Sequence, residues 1–397
     1  MELNDSQSGY WRKFQISMGT RLSESLRDEV SKRPLTEADS DSATASPGVK
    51  LAYVVATLIY SSSVAMGVAG IALVAMSGGK IIYLLGGGLC LLVAALSLPR
   101  FARAPEKIVS REDYPGIYAL TDRVAETLET EPVSGVGVSA EFNANYRIAG
   151  WKGQRYVEIG AALAAVLSVE EFVALVAHEM SHGANGDPLR GRYLGGALNT
   201  VVRWGGVIRP TTVTGLGEGM PYGPIVSILG IPFAIVALLL SEAIFLVAKG
   251  FYLLVLRQSQ RAEYLADVLA SKIAGAHAMS SQLEKLYLFD VVDTAIQRHA
   301  LTNAEAPIQD ALREAVRSLP DSKLDSLRAE SRAQGWRVDS THPPTAMRTD
   351  VIKACGNVEP AMILSEEERR GIAIELTRLV ESMRNAMTGS KIEAMYF

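Results

Sequence analysis

The sequence predicts an α+β protein, mainly helical with a small sheet and joined to transmembrane helices, and three observations carry that prediction. Of 397 residues, 48% are apolar, and the mean hydropathy of +0.16 is too high for an ordinary soluble enzyme. Apolar runs of bilayer length occur at Leu51–Met76, Ile81–Pro99 and Ile225–Arg257. From Arg100 onward the composition becomes that of a soluble domain, with a helix expected near Tyr114–Thr130 and strands at Val133–Val138 and Tyr156–Ile159.

Residues 1–50 mix charges of both signs and read as a polar, partly disordered lead ending in a small-residue linker at Ser40–Pro47. No secretory signal is expected, since the first apolar run begins at Leu51. The first two runs, separated by Ser77-Gly78-Gly79-Lys80, read as a transmembrane hairpin, and Gly86-Gly87-Gly88 suits close helix packing. Lys32, Arg33 and Lys50 precede the hairpin, Arg100, Arg103, Lys107 and Arg111 follow it, and the turn offers Lys80, so both outer flanks are expected on the cytoplasmic side. A net charge of -4 and the lack of a basic stripe with interleaved aromatics argue against a nucleic-acid partner. Two cysteines, Cys90 and Cys355, have neither disulfide-framework nor metal-ligand spacing, which fits a reducing compartment for the soluble part.

The stretch Phe172–Asp187 contains His178, Glu179 and His182 in an HExxH arrangement. Ser168 with Glu171 reads as a capping box, and the helix is expected to end near Gly183 or Gly186. On a helix, residues four apart share a face, so both imidazoles reach one metal ion while Glu179, about 100° around, addresses a bound water. Neutral imidazoles and a carboxylate suit Zn2+. The plain alternative is two histidines on an ordinary helix, but five histidines in the whole chain make a chance HExxH rare.

Two histidines need a third ligand, and the metzincin position six residues on is Pro188. A better candidate is Glu263, with Asp267 one turn on the same face, where it can hold the distal nitrogen of a ligand histidine. Alone, an ExxxD is more often a solvated helix face. The run Ile225–Arg257 exceeds the bilayer, however, so its helix is expected to continue toward Arg261, Glu263 and Asp267. Upstream, Phe142-Asn143-Ala144-Asn145-Tyr146 reads either as an edge strand that pairs a substrate backbone at Asn143 and Ala144 or, equally, as an ordinary surface strand. Tyr193–Pro210, apolar but carrying Arg203, reads as interfacial or partly buried.

From about Leu51 to Arg348 the sequence resembles the HtpX-type integral-membrane zinc metallopeptidases, gluzincins related to the CAAX prenyl proteases. The order is the same: hairpin, Asn-Ala strand, HExxH with Gly186-Asp187 behind it, membrane helix, ExxxD, and Thr341-His342-Pro343-Pro344. The resemblance implies a mainly helical zincin-type domain in which His178, His182 and Glu263 bind zinc, Glu179 is the general base and Asp267 supports a ligand. It also implies that His342 stabilises the oxyanion, with Arg348 as a helper. The chain departs from the pattern at Ser259-Gln260, where Ser-Arg is usual; its arginine stands at Arg261.

The expected division is a polar cytoplasmic segment at 1–50, a hairpin at 51–99, the HExxH part of the metallopeptidase domain at 100–223, a third transmembrane helix at 224–257, and the remainder at 258–397. The first functional reading is a membrane-embedded endopeptidase in a bacterial plasma membrane, catalytic domain cytoplasmic, acting on proteins or peptides at the lipid bilayer in quality control. A dedicated processing protease or a transmembrane sensor is the second, and a catalytically silent scaffold or chaperone the third. A homo-oligomer stays open.

Overall fold

A computed structural model describes residues 17–22, 24–29, 47–97, 102–150, 152–209, 224–302, 306–334 and 343–389. Their contacts divide them into two units.

The apolar unit holds helix α1 (Pro47–Ala75), helix α2 (Ile81–Leu96), and parts of two helices met again below. α1 and α2 pack as a helical pair, and of the three glycines in α2 the middle one makes the crossing. A Cβ on Gly87 would stand 2.8 Å from the Gly70 carbonyl oxygen, and one on Gly70 would stand 2.9 Å from that of Gly87. α2 spans 16 residues, about 24 Å. It is thus shorter than the 19-residue run expected to span, because the helix stops at Leu96 with Ser97 as its C-cap. Among the described residues, two helical stretches are long and apolar enough to cross a bilayer, Pro47–Ala75 and Ala234–Ala274.

The soluble unit is built on a four-stranded sheet, and its elements follow in chain order. Strand β1 (Ile108–Val109) precedes helix α3 (Pro115–Thr127), and then come β2 (Gly135–Ser139), β3 (Ala144–Ala149) and β4 (Gln154–Gly160). The sheet order is β1-β2-β4-β3, with β2 and β4 parallel and the other pairs antiparallel, so β3 lies at an edge. Its register pairs Ala144 with Ile159 and Tyr146 with Val157. Among the described residues its outer side carries one bridge, Ala102 to Ala149, at its far end.

A short helix α4 (Ala161–Ala164) leads to α5 (Val169–Ala184), which carries HExxH. Helix α6 (Asp187–Ile208) returns to the apolar unit. There Leu194, Ala197 and Val201 pack with Ala52, Ala56 and Ile59 of α1. Arg203, which made this stretch ambiguous in sequence, donates to the Leu96 carbonyl at 2.6 Å, and Trp204 donates to Ser97 Oγ at 2.9 Å. The end of α2 is thereby closed by polar groups from α6.

Helix α7 (Pro224–Ala274) is unbroken over 51 residues, despite Pro232 in its first part. It begins in the apolar unit and ends in the soluble one, as the long run predicted. Glu242, inside the apolar run, pairs with Arg209 at 2.5 Å. The soluble unit is completed by α8 (Ala276–Lys285), α9 (Phe289–Thr302), α10 (Ile308–Arg317), α11 (Asp321–Gln334), α12 (Thr345–Ala354) and α13 (Glu366–Ser382). One core joins the inner face of the sheet, through Val136, Val138 and Ile159, to Phe172, Val176 and Met180 of α5.

The lead does not all behave as a solvated tail. Residues 17–22 and 24–29 are helical and belong to the soluble unit, where Leu26 is buried against Tyr264, Leu265 and Val268 of α7. The stretch 303–337, left unassigned by the resemblance, contributes α10 and α11, with Ile308 and Leu312 fully buried.

Candidate metal centre

Helix α5 starts where its sequence says. Ser168 Oγ accepts from the Glu171 N–H at 3.1 Å, and Glu171 Oε2 accepts from the Ser168 N–H at 2.7 Å. Ser281 of α8 donates to the other oxygen of Glu171, at 2.5 Å, which ties the start of α5 to its neighbour. The helix closes at Ala184 with Asn185 as C-cap, and Gly186 follows at φ +71°, a conformation that favours glycine. Between these ends the side chains from Phe172 to Ser181 are buried, His178 and Glu179 among them.

His178 and His182 present their Nε2 atoms 3.3 Å apart. Glu263 reaches both from α7: Oε2 lies 3.6 Å from His178 Nε2, and Oε1 lies 3.5 Å from His182 Nε2. A tetrahedral zinc with bonds of roughly 2.0–2.2 Å holds its donor atoms about 3.3–3.6 Å apart. The imidazole pair matches that spacing, each Nε2 is approached by a different oxygen of Glu263, and one ligand atom from each of the three groups lies within 4.8 Å of the others; among the described residues they are the cluster suited to a metal, and two imidazoles with a carboxylate suit zinc in chemistry. Glu179, 4% exposed, stands one residue beyond the first histidine.

Asp267 lies one turn beyond Glu263, and its Oδ1 is 2.9 Å from His178 Nδ1, the nitrogen facing away from His182. Arg348 of α12 donates twice to the same carboxylate, Nη2 to Oδ1 at 2.6 Å and Nε to Oδ2 at 2.8 Å. Burial opposes charge on Arg348. Asp267, with Glu263 and Glu179 further off, more than offsets that and holds the guanidinium above the ordinary arginine range. Burial and Arg348 push His178 down, yet the Asp267 and Glu263 carboxylates outweigh them and raise it.

Asn143 and Ala144 lie at the start of the edge strand. Asn143 accepts from the Gly160 N–H at 2.8 Å through its carbonyl, and Ala144 is the first residue of β3. His342 lies outside the described residues. One contributor was not singled out in sequence, and a second was noted only as a departure from the family pattern. Tyr146 of β3 packs against Gly183, next to the second histidine, and burial pushes its phenol up to about 12. Gln260, at the position where the pattern has arginine, is buried and donates to the Gly19 carbonyl at 3.1 Å. A glycine directly after HExxH was the visible signal for the first; the departure at Gln260 marked the second, but nothing in the sequence pointed to its partner Gly19.

The family model described as "Peptidase family M48" matches residues 119–355, from α3 to just past α12. Protease HtpX of Pseudomonas putida (strain GB-1) is 28% identical over 158 residues, which cover 38% of this chain and 49% of that protein. Protease HtpX of Pseudomonas aeruginosa (strain LESB58) is 28% identical over 152 residues, 38% of this chain and 50% of that protein. A Protease HtpX homolog of Pyrobaculum calidifontis is 28% identical over 280 residues, 66% of this chain and 75% of that protein. The chain thus spans about half the length of the first of these relatives. No solved structure matches. Because the model runs over more than half of the chain and takes in both histidines, Glu263, Asp267 and Arg348, this protein belongs to peptidase family M48.

Proposed function

We propose that the chain is an integral-membrane, zinc-dependent endopeptidase, with His178, His182 and Glu263 as ligands and Glu179 as general base. The observation that carries this reading is the pair of Nε2 atoms 3.3 Å apart, each approached by one Glu263 oxygen at 3.6 and 3.5 Å, with the buried Glu179 beside them. Zinc, when bound, brings the pKa of its water toward ~7 and polarises the scissile carbonyl. Glu179 takes the proton of the attacking water and passes it to the leaving nitrogen. The outer side of β3 from Asn143 and Ala144 onward offers main-chain groups with which an extended peptide pairs, which favours protein or peptide substrates. His342 enters as an oxyanion donor through the resemblance of Thr341-His342-Pro343-Pro344.

Membrane insertion is favoured by the outward faces of α1, α2 and α7, where residues such as Leu58, Val64, Ile81, Leu85 and Leu239 are each more than 60% exposed. The basic flanks favour a cytoplasmic catalytic domain. The resemblance extends the proposal to damaged or misassembled membrane proteins as substrates.

Glu179→Gln tests the reading, because the amide matches the carboxylate in size but cannot accept the proton. Purified variant should keep its fold and about one zinc per chain while cleavage of a model peptide falls by ~10²- to 10⁴-fold. Cleavage at the wild-type rate with equal zinc would remove Glu179 from the role of general base, and no cleavage by the zinc-loaded wild type would replace the protease reading with the scaffold.

A further inference from the structure

We propose that Arg348 is a positioning residue of the metal centre, locking Asp267 and, through it, fixing the ring orientation and tautomer of His178; this rests on the zinc reading above. The resemblance suggested a different task for Arg348, help at the oxyanion. Its geometry points elsewhere. Nε and Nη2 are both spent on Asp267, one on each carboxylate oxygen, at 2.8 and 2.6 Å. Two parallel donors fix the plane of a carboxylate as well as its position. Nη2 also lies 3.4 Å from His178 Nδ1 and 3.2 Å from Nε2. A point nearly equidistant from both ring nitrogens is off the lone-pair axis of each, so the guanidinium packs against the imidazole without becoming its in-line partner.

The shared atom is Asp267 Oδ1, which meets Arg348 Nη2 at 2.6 Å and His178 Nδ1 at 2.9 Å. As an acceptor it selects the tautomer protonated at Nδ1 and leaves the Nε2 lone pair facing His182 and Glu263. Asp267 is fully buried, and Arg348 and His178 are each 2% exposed, so water has little access with which to hold this geometry in their place. An unpaired carboxylate there would be heavily penalised. The chain assembles the relay from three elements: His178 from α5, Asp267 from α7, and Arg348 one turn into α12, whose N-cap is Pro344. A lysine cannot replace the fork, since its ammonium is a point charge without two parallel donors.

The test uses the full chain in detergent, stripped of metal, as wild type, Arg348→Lys, Arg348→Met, Asp267→Asn and the Arg348→Met/Asp267→Asn pair. Zinc affinity is read by chelator competition, and Co2+ is added separately for its visible absorption, which reports ligand geometry and is not moved by a loss of packing alone. Arg348→Met and Asp267→Asn should each weaken zinc by ~10- to 100-fold and alter the cobalt spectrum. The pair should be no worse than the poorer single variant, since both changes break one relay. Wild-type affinity and spectrum in Arg348→Met, or losses that multiply in the pair, would overturn the proposal. If Arg348→Met does not fold, Arg348→Lys decides: weaker zinc with an altered spectrum supports the relay, and wild-type behaviour overturns it. A wild-type chain that binds no zinc removes the metal reading itself, an outcome distinct from a variant that binds zinc normally.

Discussion

The Tyr146 ring lies directly on Gly183, so that a Cβ built on the glycine would stand 2.5 Å from the Tyr146 Cζ and 2.7 Å from its hydroxyl oxygen. Tyr146 is held in the edge strand by its pairing with Val157, and Gly183 follows the second histidine of α5. The glycine therefore sets the separation between the strand on which a peptide would pair and the helix that carries His178 and His182.

Two effects oppose each other in Gly183→Ala. Helix propensity favours alanine by roughly 0.5–1 kcal/mol. The clash with a tyrosine whose backbone is fixed in the sheet costs about 1–3 kcal/mol, so it should win. Thermal unfolding is expected to fall for Gly183→Ala and to recover when Tyr146→Val is added. A rise in the single variant would show that β3 gives way freely.

Glu375 of α13 supplies a second long-range tie. Its two oxygens accept from the N–H groups of Gly116 and Ile117 at 2.8 Å each, at the start of α3. A Cβ on Gly116 would stand 3.1 Å from the carboxylate, a tight approach that the glycine relieves. Buried charge-assisted bonds of this kind are worth about 1.5–3 kcal/mol each, and the helix N-terminus adds to them. Glu375→Ala should therefore lower stability by ~2–4 kcal/mol in denaturant unfolding. A loss under ~0.5 kcal/mol, typical of a surface site, would mean that water satisfies these N–H groups.

Much of the candidate metal centre's cluster was legible because its parts are local. HExxH carries its own geometry, and Glu263 and Asp267 are one turn apart on a helix whose excess length over a bilayer could be counted. What stayed hidden depends on contacts far apart in sequence. Arg348 could be noticed only by resemblance, since nothing local says that its fork closes on Asp267, 81 residues away. Leu26 sat among charged residues in a stretch read as a polar lead, and one buried side chain in two short helices leaves no periodic signal. The second arm of the hairpin was overestimated for the opposite reason, because uncharged composition runs past the point where Ser97 caps the helix.

The proposed topology can be checked without activity. With Lys80 alone in the turn and basic residues on both outer flanks, reporter fusions after Lys80 and after Arg111 should report opposite sides of the membrane. The fusion after Arg111 should be cytoplasmic. A shared side for both would mean that α2, about 24 Å long against a hydrocarbon core of ~30 Å, does not span.

Leu26 makes the sharpest stability prediction, because the composition around it argues for no effect. It is 2% exposed, and it packs on Tyr264, Leu265 and Val268, which share helix α7 with Glu263 and Asp267. Gln260, one turn before Tyr264, also reaches back to the Gly19 carbonyl, so two contacts fasten this segment to the ligand-bearing part of α7. Truncating a fully buried leucine costs about 2–5 kcal/mol through lost burial and the cavity left behind. Leu26→Ala should thus destabilise the soluble unit by at least ~2 kcal/mol, while Ser25→Ala, one residue away and exposed, should stay within about 0.5 kcal/mol of wild type. Since the cavity would open beside the helix that supplies Glu263, zinc affinity should weaken in Leu26→Ala as well. Equal melting temperatures for the two variants would return residues 17–29 to the role of a solvated lead.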